Sequence, residues 1–209
     1  PVGDNSQADN VVWVCFYRAW YQTGDLAVVD ALRDALKKKG LQVRCCYAYS
    51  LRDPEAQAQL LRAAQQEPPS AILTRQSFSV CLQAVDQPSF LEELDCPVLQ
   101  IPVSLRDEHT WEHNPRGLSP AEVAMNVALP EIDGRVLGAL VGFKEDAQRL
   151  AEAQWTLKRL EPAASQVLFV AELVHNWLEL RRKNNREKRV AIILANYPNR
   201  DSRLGNGVG

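Results

Sequence analysis

Residues 11–49 read VVWVCFYRAWYQTGDLAVVDALRDALKKKGLQVRCCYAY, and their pattern decides the fold. Val11–Tyr17 is apolar along its whole length, which suits a strand buried on both faces rather than one with a wet side. A polar loop with Gly24 follows. Val29, Leu32 and Leu36 then recur at helical spacing. Lys37, Lys38 and Lys39 place positive charge at the negative end of that helix, and Gly40 suits the position after it. Residues 41–49 are a second strand. Strand, helix and strand within about 40 residues make a βαβ unit, which requires parallel pairing and a right-handed crossover. The expected fold class is therefore α/β: a mainly parallel sheet flanked by helices, a three-layer arrangement of the flavodoxin or Rossmann kind.

The alternation continues outward. Asp53-Pro54-Glu55 opens a helix with a capping side chain, a proline at the first helical position and an acid at the positive end. It runs to Gln66 and is stopped by Pro68-Pro69. Residues 71–74 are a short strand leading into Arg75-Gln76-Ser77, residues 89–94 a short helix, and residues 97–103 a fourth strand. Residues 104–118 form a long irregular segment, a length that compact α/β domains usually keep for function. Ser119-Pro120-Ala121-Glu122 is a capping box. After its helix, residues 127–134 (VALPEIDG) are expected to be extended, and residues 136–141 to form a strand. Residues 144–160 could be helical, although 155–160 alternates like a strand. Residues 163–182 carry a helical stripe of Val167, Val170, Val174 and Trp177.

The last stretch, residues 189–209, reads RVAIILANYPNRDSRLGNGVG. Residues 190–195 are expected to be another buried strand, followed by a polar glycine-rich loop. The expected organisation is a polar lead-in or cloning remnant over 1–10, an α/β domain over 11–143, a connecting helical segment over 144–188, and the first strand and loop of a second, truncated α/β unit over 189–209.

Composition narrows the function classes. Apolar residues are 46% of the 209, enough for a sizeable core, and the formal net charge of -2 argues against nucleic-acid binding by bulk charge. No apolar run approaches the roughly 18 residues of a membrane helix, so no membrane partner is expected. Five cysteines without C-x-x-C spacing read as reduced thiols in a cytoplasmic protein rather than a zinc site or disulfide framework. His109 and His113 are four apart, a spacing that on a helix can hold a transition metal. Asn114-Pro115 discourages a helix there, so no metal site is assigned. No G-x-x-x-x-G-K-[ST] phosphate loop is present.

Four stretches sit where a strand or helix ends and carry binding chemistry: FYRAWYQTGD (16–25), the loop around Arg116-Gly117-Leu118-Ser119, MNVALPEIDGR (125–135) and ANYPNRDSRLGNGVG (195–209). Ligands of parallel sheets bind in such loops. In this order, across nearly the whole chain, the four resemble the large subunit of aerobic ATP-dependent cobaltochelatase, a family related to the large subunit of magnesium chelatase. The P-E-x-D-G element is shared with the magnesium branch, whereas the N-Y-P-N-R version of the last loop tilts the resemblance toward cobalt.

The resemblance implies insertion of Co2+, as substrate, into hydrogenobyrinic acid a,c-diamide during aerobic cobalamin biosynthesis. It implies ATP hydrolysis on AAA+ and von Willebrand-type partner subunits rather than on this chain. It also implies that the chain is an internal slice, inactive alone. Metal insertion needs an acceptor for ring N–H protons, and the resemblance points to Glu131, with Asp133 beside it. Two apart in an extended segment, the pair would project on one side and repel, raising one carboxyl toward a useful proton acceptor. The acidic periphery of the ring calls for arginine forks and polar loop groups. The residues in place are Arg18, Tyr21, Arg116, Arg135, Asn196, Tyr197, Arg200, Arg203 and Asn206. Two other readings remain open: a magnesium-chelatase homologue acting on protoporphyrin, and a noncatalytic module docking the AAA+ partner through the basic run 181–189.

Overall fold

A computed structural model of the chain describes residues 10–80, 89–150 and 155–194. In it, β1 (Val11–Tyr17) pairs along its length with β2 (Gln42–Ala48) and, on its other edge, with β3 (Ala71–Thr74). β4 (Val98–Gln100) and β5 (Val136–Leu137) extend the sheet. All these pairings are parallel, and the order is β2-β1-β3-β4-β5. This is the flavodoxin-like order, in which successive connections leave β1 in opposite directions and open a crevice at the carboxyl ends of β1 and β3.

Strand alternation sorts the core onto two faces. Val12, Val14 and Phe16 of β1, with Leu73 and Leu99, are buried with Leu32 and Leu36 of α2 (Ala27–Lys38) and Val170 and Val174 of α8 (Ala164–Arg182). Val11, Trp13 and Cys15, with Ile72 and Val98, face the opposite way, where Leu60 and Leu61 of α3 (Pro54–Gln66) and Phe90 and Leu91 of α4 (Phe90–Glu93) cover them. Each large apolar side chain buried this way contributes about 1.5–3 kcal/mol relative to exposure, and the result is the expected three layers. The end signals act as read: Asp53 accepts from Glu55 N at 3.1 Å, and Ser119 closes its capping box with Glu122. On α8 the buried stripe is completed by Leu178, while Trp177 is exposed.

Four expectations are corrected. Residues 144–150 and 155–162, assigned to the connecting helical segment over 144–188, are instead in two antiparallel strands, β6 (Gly142–Leu150) and β7 (Trp155–Pro162). Cross-strand pairing, including Lys158–Asp146 at 3.0 Å, outweighs a weak helical pattern, and burial of Phe143 and Leu160 anchors the pair to the core. The irregular segment contains a one-turn helix, α5 (Glu108–Glu112), capped by Asp107, whose Oδ1 accepts from Thr110 N at 2.7 Å. Residues 127–134 are not extended: α6 (Pro120–Val123) continues through a wide π-type turn (Ala124–Ala128) into α7 (Leu129–Ile132). Pro130 has no N–H with which to continue the helical ladder, and the widened turn directly before it accommodates the missing bond.

The fourth correction concerns the expected strand over 190–195. Residues 190–194 carry no ladder bonds, and Val190, Ile192, Ile193 and Leu194 are exposed. A strand requires a partner for its N–H and C=O groups, and among the described residues this run has none; Ala195 lies outside them. The chain divides into two units, 1–178 and 179–209. In the second, the end of α8 carries an Arg182–Glu179 pair at 2.6 Å, and a short 3-10 turn (Asn185–Glu187) follows. Among the described residues no helix is long and apolar enough to cross a membrane.

Candidate functional site

A cleft of about 440 Å3 opens where β1, β2 and β3 end. Its walls include Tyr17 from the end of β1, Tyr49 and Arg52 from the segment after β2, and Ser77 and Phe78 from the loop after β3. Trp20 closes one side from α1 (Arg18–Thr23), a short helix that starts directly at the end of β1 and stops at Gly24, where φ is +69°. Tyr17 is fixed because its hydroxyl oxygen accepts from Ser77 N at 2.8 Å. Tyr49 is 83% exposed and Phe78 40%, so two rings stand open to a ligand. Phe78 has φ +67°, a left-handed conformation that costs a non-glycine residue about 1 kcal/mol or more. Such strain persists only where surrounding bonds over-determine it. Here Phe78 N donates to Met125 O at 2.9 Å and Phe78 O accepts from Arg135 at 3.2 Å.

A buried polar lattice holds these walls. Gln76 laces three strand ends together: its Oε1 accepts from Leu51 N at 2.7 Å, and its Nε2 donates to Phe16 O at 3.1 Å and Ala48 O at 3.3 Å. Arg135 donates to Gln76 O at 2.8 Å and Gln100 Oε1 at 3.0 Å, and pairs with Asp133 at 2.7 Å with both side chains at 0% exposure. Asp133 also accepts from Val80 N at 3.0 Å and from the Ser79 hydroxyl. Ser77 Oγ donates to Asn126 Oδ1 at 2.6 Å. Residues 125–135 are thus fastened, bond by bond, to the loop that forms one wall of the cleft.

This lattice reassigns part of the expected site. Glu131 and Asp133 do not project on one side: Glu131 is exposed on α7, while Asp133 is turned inward onto Arg135. The reason is the helical turn at 129–132, which replaces the two-residue strand period. Arg135, expected to meet substrate, is consumed by internal bonds. Arg18 and Tyr21 lie exposed on α1, with the Tyr21 ring stacked on Tyr47 at 4.8 Å between centroids. Arg116 is exposed on the loop after α5, where its N–H donates to Asn114 Oδ1 at 3.0 Å, and it is not among the cleft-lining residues. Asn196, Tyr197, Arg200, Arg203 and Asn206 lie outside the described residues.

Sequence reasoning missed Tyr49, Arg52, Ser77 and Phe78. Tyr49 follows β2 as Tyr17 ends β1, so the strand-end rule applied to Tyr17 would have found it. The left-handed turn at Phe78 has no sequence signature. Nor did any local pattern foretell the stack in which the Arg75 guanidinium lies 3.4 Å from the Trp20 ring centroid. Burial pushes Arg75 down to about 9, so it remains a cation at neutral pH.

His109 of α5 and His113, the residue that ends it, stack on each other at 4.2 Å, and His113 Nδ1 lies 2.8 Å from His109 O. Among the described residues no group of three or more His, Cys, Asp or Glu side chains is placed to hold a metal ion.

Comparison with known proteins places the chain in a family. The family described as CobN/Magnesium Chelatase matches residues 3–209. The chain is 41% identical over 199 residues to the aerobic cobaltochelatase subunit CobN of a Sinorhizobium species, covering 95% of this chain and 16% of that protein. It is 37% identical over 201 residues to the CobN protein of Pseudomonas aeruginosa, again covering 95% of this chain and 16% of the relative. It is 25% identical over 207 residues to a magnesium-chelatase subunit of Cereibacter sphaeroides, covering 90% and 17%. The solved catalytic subunit of cobaltochelatase from Mycobacterium tuberculosis superposes with a TM-score of 0.77 at 26% identity, covering 95% of this chain and 16% of that one. The chain therefore spans about one sixth of the length of these relatives, and by its sequence and its five-stranded parallel sheet it belongs to the CobN/magnesium chelatase family.

Proposed function

We propose that this chain is the part of a cobaltochelatase large subunit that takes one face of a tetrapyrrole macrocycle against the ends of β1, β2 and β3. In this reading the macrocycle is hydrogenobyrinic acid a,c-diamide and Co2+ is the incoming substrate ion, in the cytoplasmic stage of aerobic cobalamin biosynthesis. ATP hydrolysis belongs to AAA+ and von Willebrand-type partner subunits. One observation carries the reading: an open cleft at the switch point of the sheet has Trp20, Tyr49 and Phe78 on its walls and Arg52 at its rim. Exposed rings offer flat apolar area to a flat ligand, and an arginine fork suits its peripheral carboxylates.

Glu131 is the proposed proton acceptor. It is solvent-facing on α7, a helix tied through Asp133 to the loop carrying Phe78, and is not among the residues that line the cleft; among the described residues its carboxylate has no hydrogen-bond or ion-pair partner. The identities of 37–41% to CobN subunits, against 25% to the magnesium-chelatase relative in Cereibacter, favour the cobalt branch over protoporphyrin and magnesium.

An absorbance titration of the chain with the diamide and, separately, with protoporphyrin tests the ligand. Tighter binding of the diamide is expected, and preference for protoporphyrin would sink the cobalt assignment. In the full-length protein, Glu131→Gln is expected to abolish insertion while leaving macrocycle affinity within about tenfold, or ~1.4 kcal/mol. Wild-type turnover in that variant would remove Glu131 from the chemistry.

A further inference from the structure

We propose that Arg75 is a carboxylate-binding residue covered by Trp20: an acidic side arm of the ligand turns the indole aside and takes the guanidinium as its partner. This rests on the macrocycle reading above and deepens it.

Arg75 directly follows β3 at the carboxyl end of the sheet, where its backbone N–H donates to Cys15 O at 3.0 Å. Its guanidinium lies 3.4 Å from the Trp20 ring centroid. Its Nε is buried without a hydrogen-bond partner, and among the described residues the side chain makes no hydrogen bond and no ion pair. Arg135 shows how this fold satisfies a structural arginine: it donates to Gln76 O, Gln100 Oε1 and Phe78 O and pairs with Asp133. Arg75, next in sequence to Gln76, has a ring face and nothing else. The groups that act on it through space are Tyr17 and Asp25. Both are engaged elsewhere: the Tyr17 hydroxyl oxygen accepts from Ser77 N at 2.8 Å, and Asp25 Oδ1 accepts from Leu160 N at 3.0 Å. A guanidinium withdrawn from water without a carboxylate is a standing cost to the fold, and a buried polar group left unmatched calls for an explanation. An arriving anion supplies one. A carboxylate fits the planar fork of the guanidinium in a charge-assisted pair, which is stronger than the contact with a ring face that it replaces.

The cover is built to move. Trp20 stands on α1, a helix of six residues that buries none of them, and elements with so little buried surface open at low cost. Trp20 lines the cleft while Arg75, stacked on it, does not. Turning the indole therefore joins the guanidinium to the cleft that Tyr49 and Phe78 also line.

The test uses the 209-residue chain and two probes. Uroporphyrin I is a planar ring rimmed with carboxylates, read by its visible absorbance. Trimesate, a small benzene polycarboxylate, is read by calorimetry. Arg75→Met keeps an unbranched chain against Trp20 and removes the charge. It is expected to weaken both probes by about tenfold or more. Its thermal midpoint is expected to rise by about 2 °C or more, because an unpaired buried charge has gone. Trp20→Ala uncovers the guanidinium and is expected to tighten trimesate, and that gain is expected to vanish in the double variant with Arg75→Met. Matching circular dichroism spectra establish that the variants are folded. If the wild type binds trimesate through Arg75 but ignores uroporphyrin I, the role of Arg75 stands and the macrocycle reading falls. If uroporphyrin I binds Arg75→Met as tightly as the wild type, the role is overturned and the macrocycle reading survives. Failure of trimesate to bind either the wild type or Trp20→Ala would also overturn it, and so would a lower midpoint in Arg75→Met, which would mark the guanidinium as a structural group.

Discussion

Two carboxylates two positions apart have opposite fates in this chain. Glu131 faces solvent, so Glu131→Gln should change unfolding free energy by no more than about 0.5 kcal/mol, whatever it does to metal insertion. Asp133 and Arg135 are a fully buried pair. Removing one partner strands the other charge, so Arg135→Met should cost about 3–5 kcal/mol in urea denaturation and loosen the loop at Phe78 with it. A third carboxylate gives a pH dependence. Burial of Glu122 works against its charge, but hydrogen bonds with Ser119 and from the N–H groups of Leu105 and Ser119 outweigh that and hold it below the ordinary carboxylate range. A depressed folded value adds stability above the unfolded value of about 4.3 and loses it as pH falls through the lower folded value. Acid unfolding should therefore be less steep in Glu122→Gln, measured between pH 3 and 6. At this scale the sequence was half legible. PEIDGR stands out because acids, proline and glycine are crowded there, but which acid points out depends on whether residues 129–132 are a turn of helix or a strand, and six residues of mixed pattern do not determine that.

Among the elements, the β6–β7 pair is the piece whose local pattern is ambiguous between helix and strand. Gly142 explains how it docks. A Cβ at that position would lie 2.7 Å from Glu161 O and 2.8 Å from Val28 Cγ2, and backbone cannot step aside cheaply. Gly142→Ala should destabilise by about 1–3 kcal/mol, seen as a lower midpoint in thermal melting. The long helices and the βαβ unit were legible because each carries more than one agreeing signal: an apolar period and a basic last turn in α2, a capping Asp53 and a proline at the first position in α3. The strands β4 and β5 came out shorter than their apolar runs, three and two residues, because ladder bonds end where the neighbouring strand ends.

Over the whole molecule, protection should follow the sheet. Amides of β1, bonded on both edges to β2 and β3, should exchange only with global opening. Residues 190–194, where Ile193 is 94% exposed, should exchange at rates near those of an unstructured peptide, read by hydrogen-exchange mass spectrometry. Slow exchange there would contradict the exposure seen. By itself the sequence determined the α/β class and the parallel pairing, since both depend on apolar period and chain punctuation, which are local. Only the tertiary structure decided that Asp133 turns in on Arg135, that Phe78 is driven into a left-handed turn, and that the Arg75 guanidinium stacks on Trp20. Those outcomes depend on which distant groups compete for the same buried hydrogen bonds and charges, and that competition is settled in three dimensions.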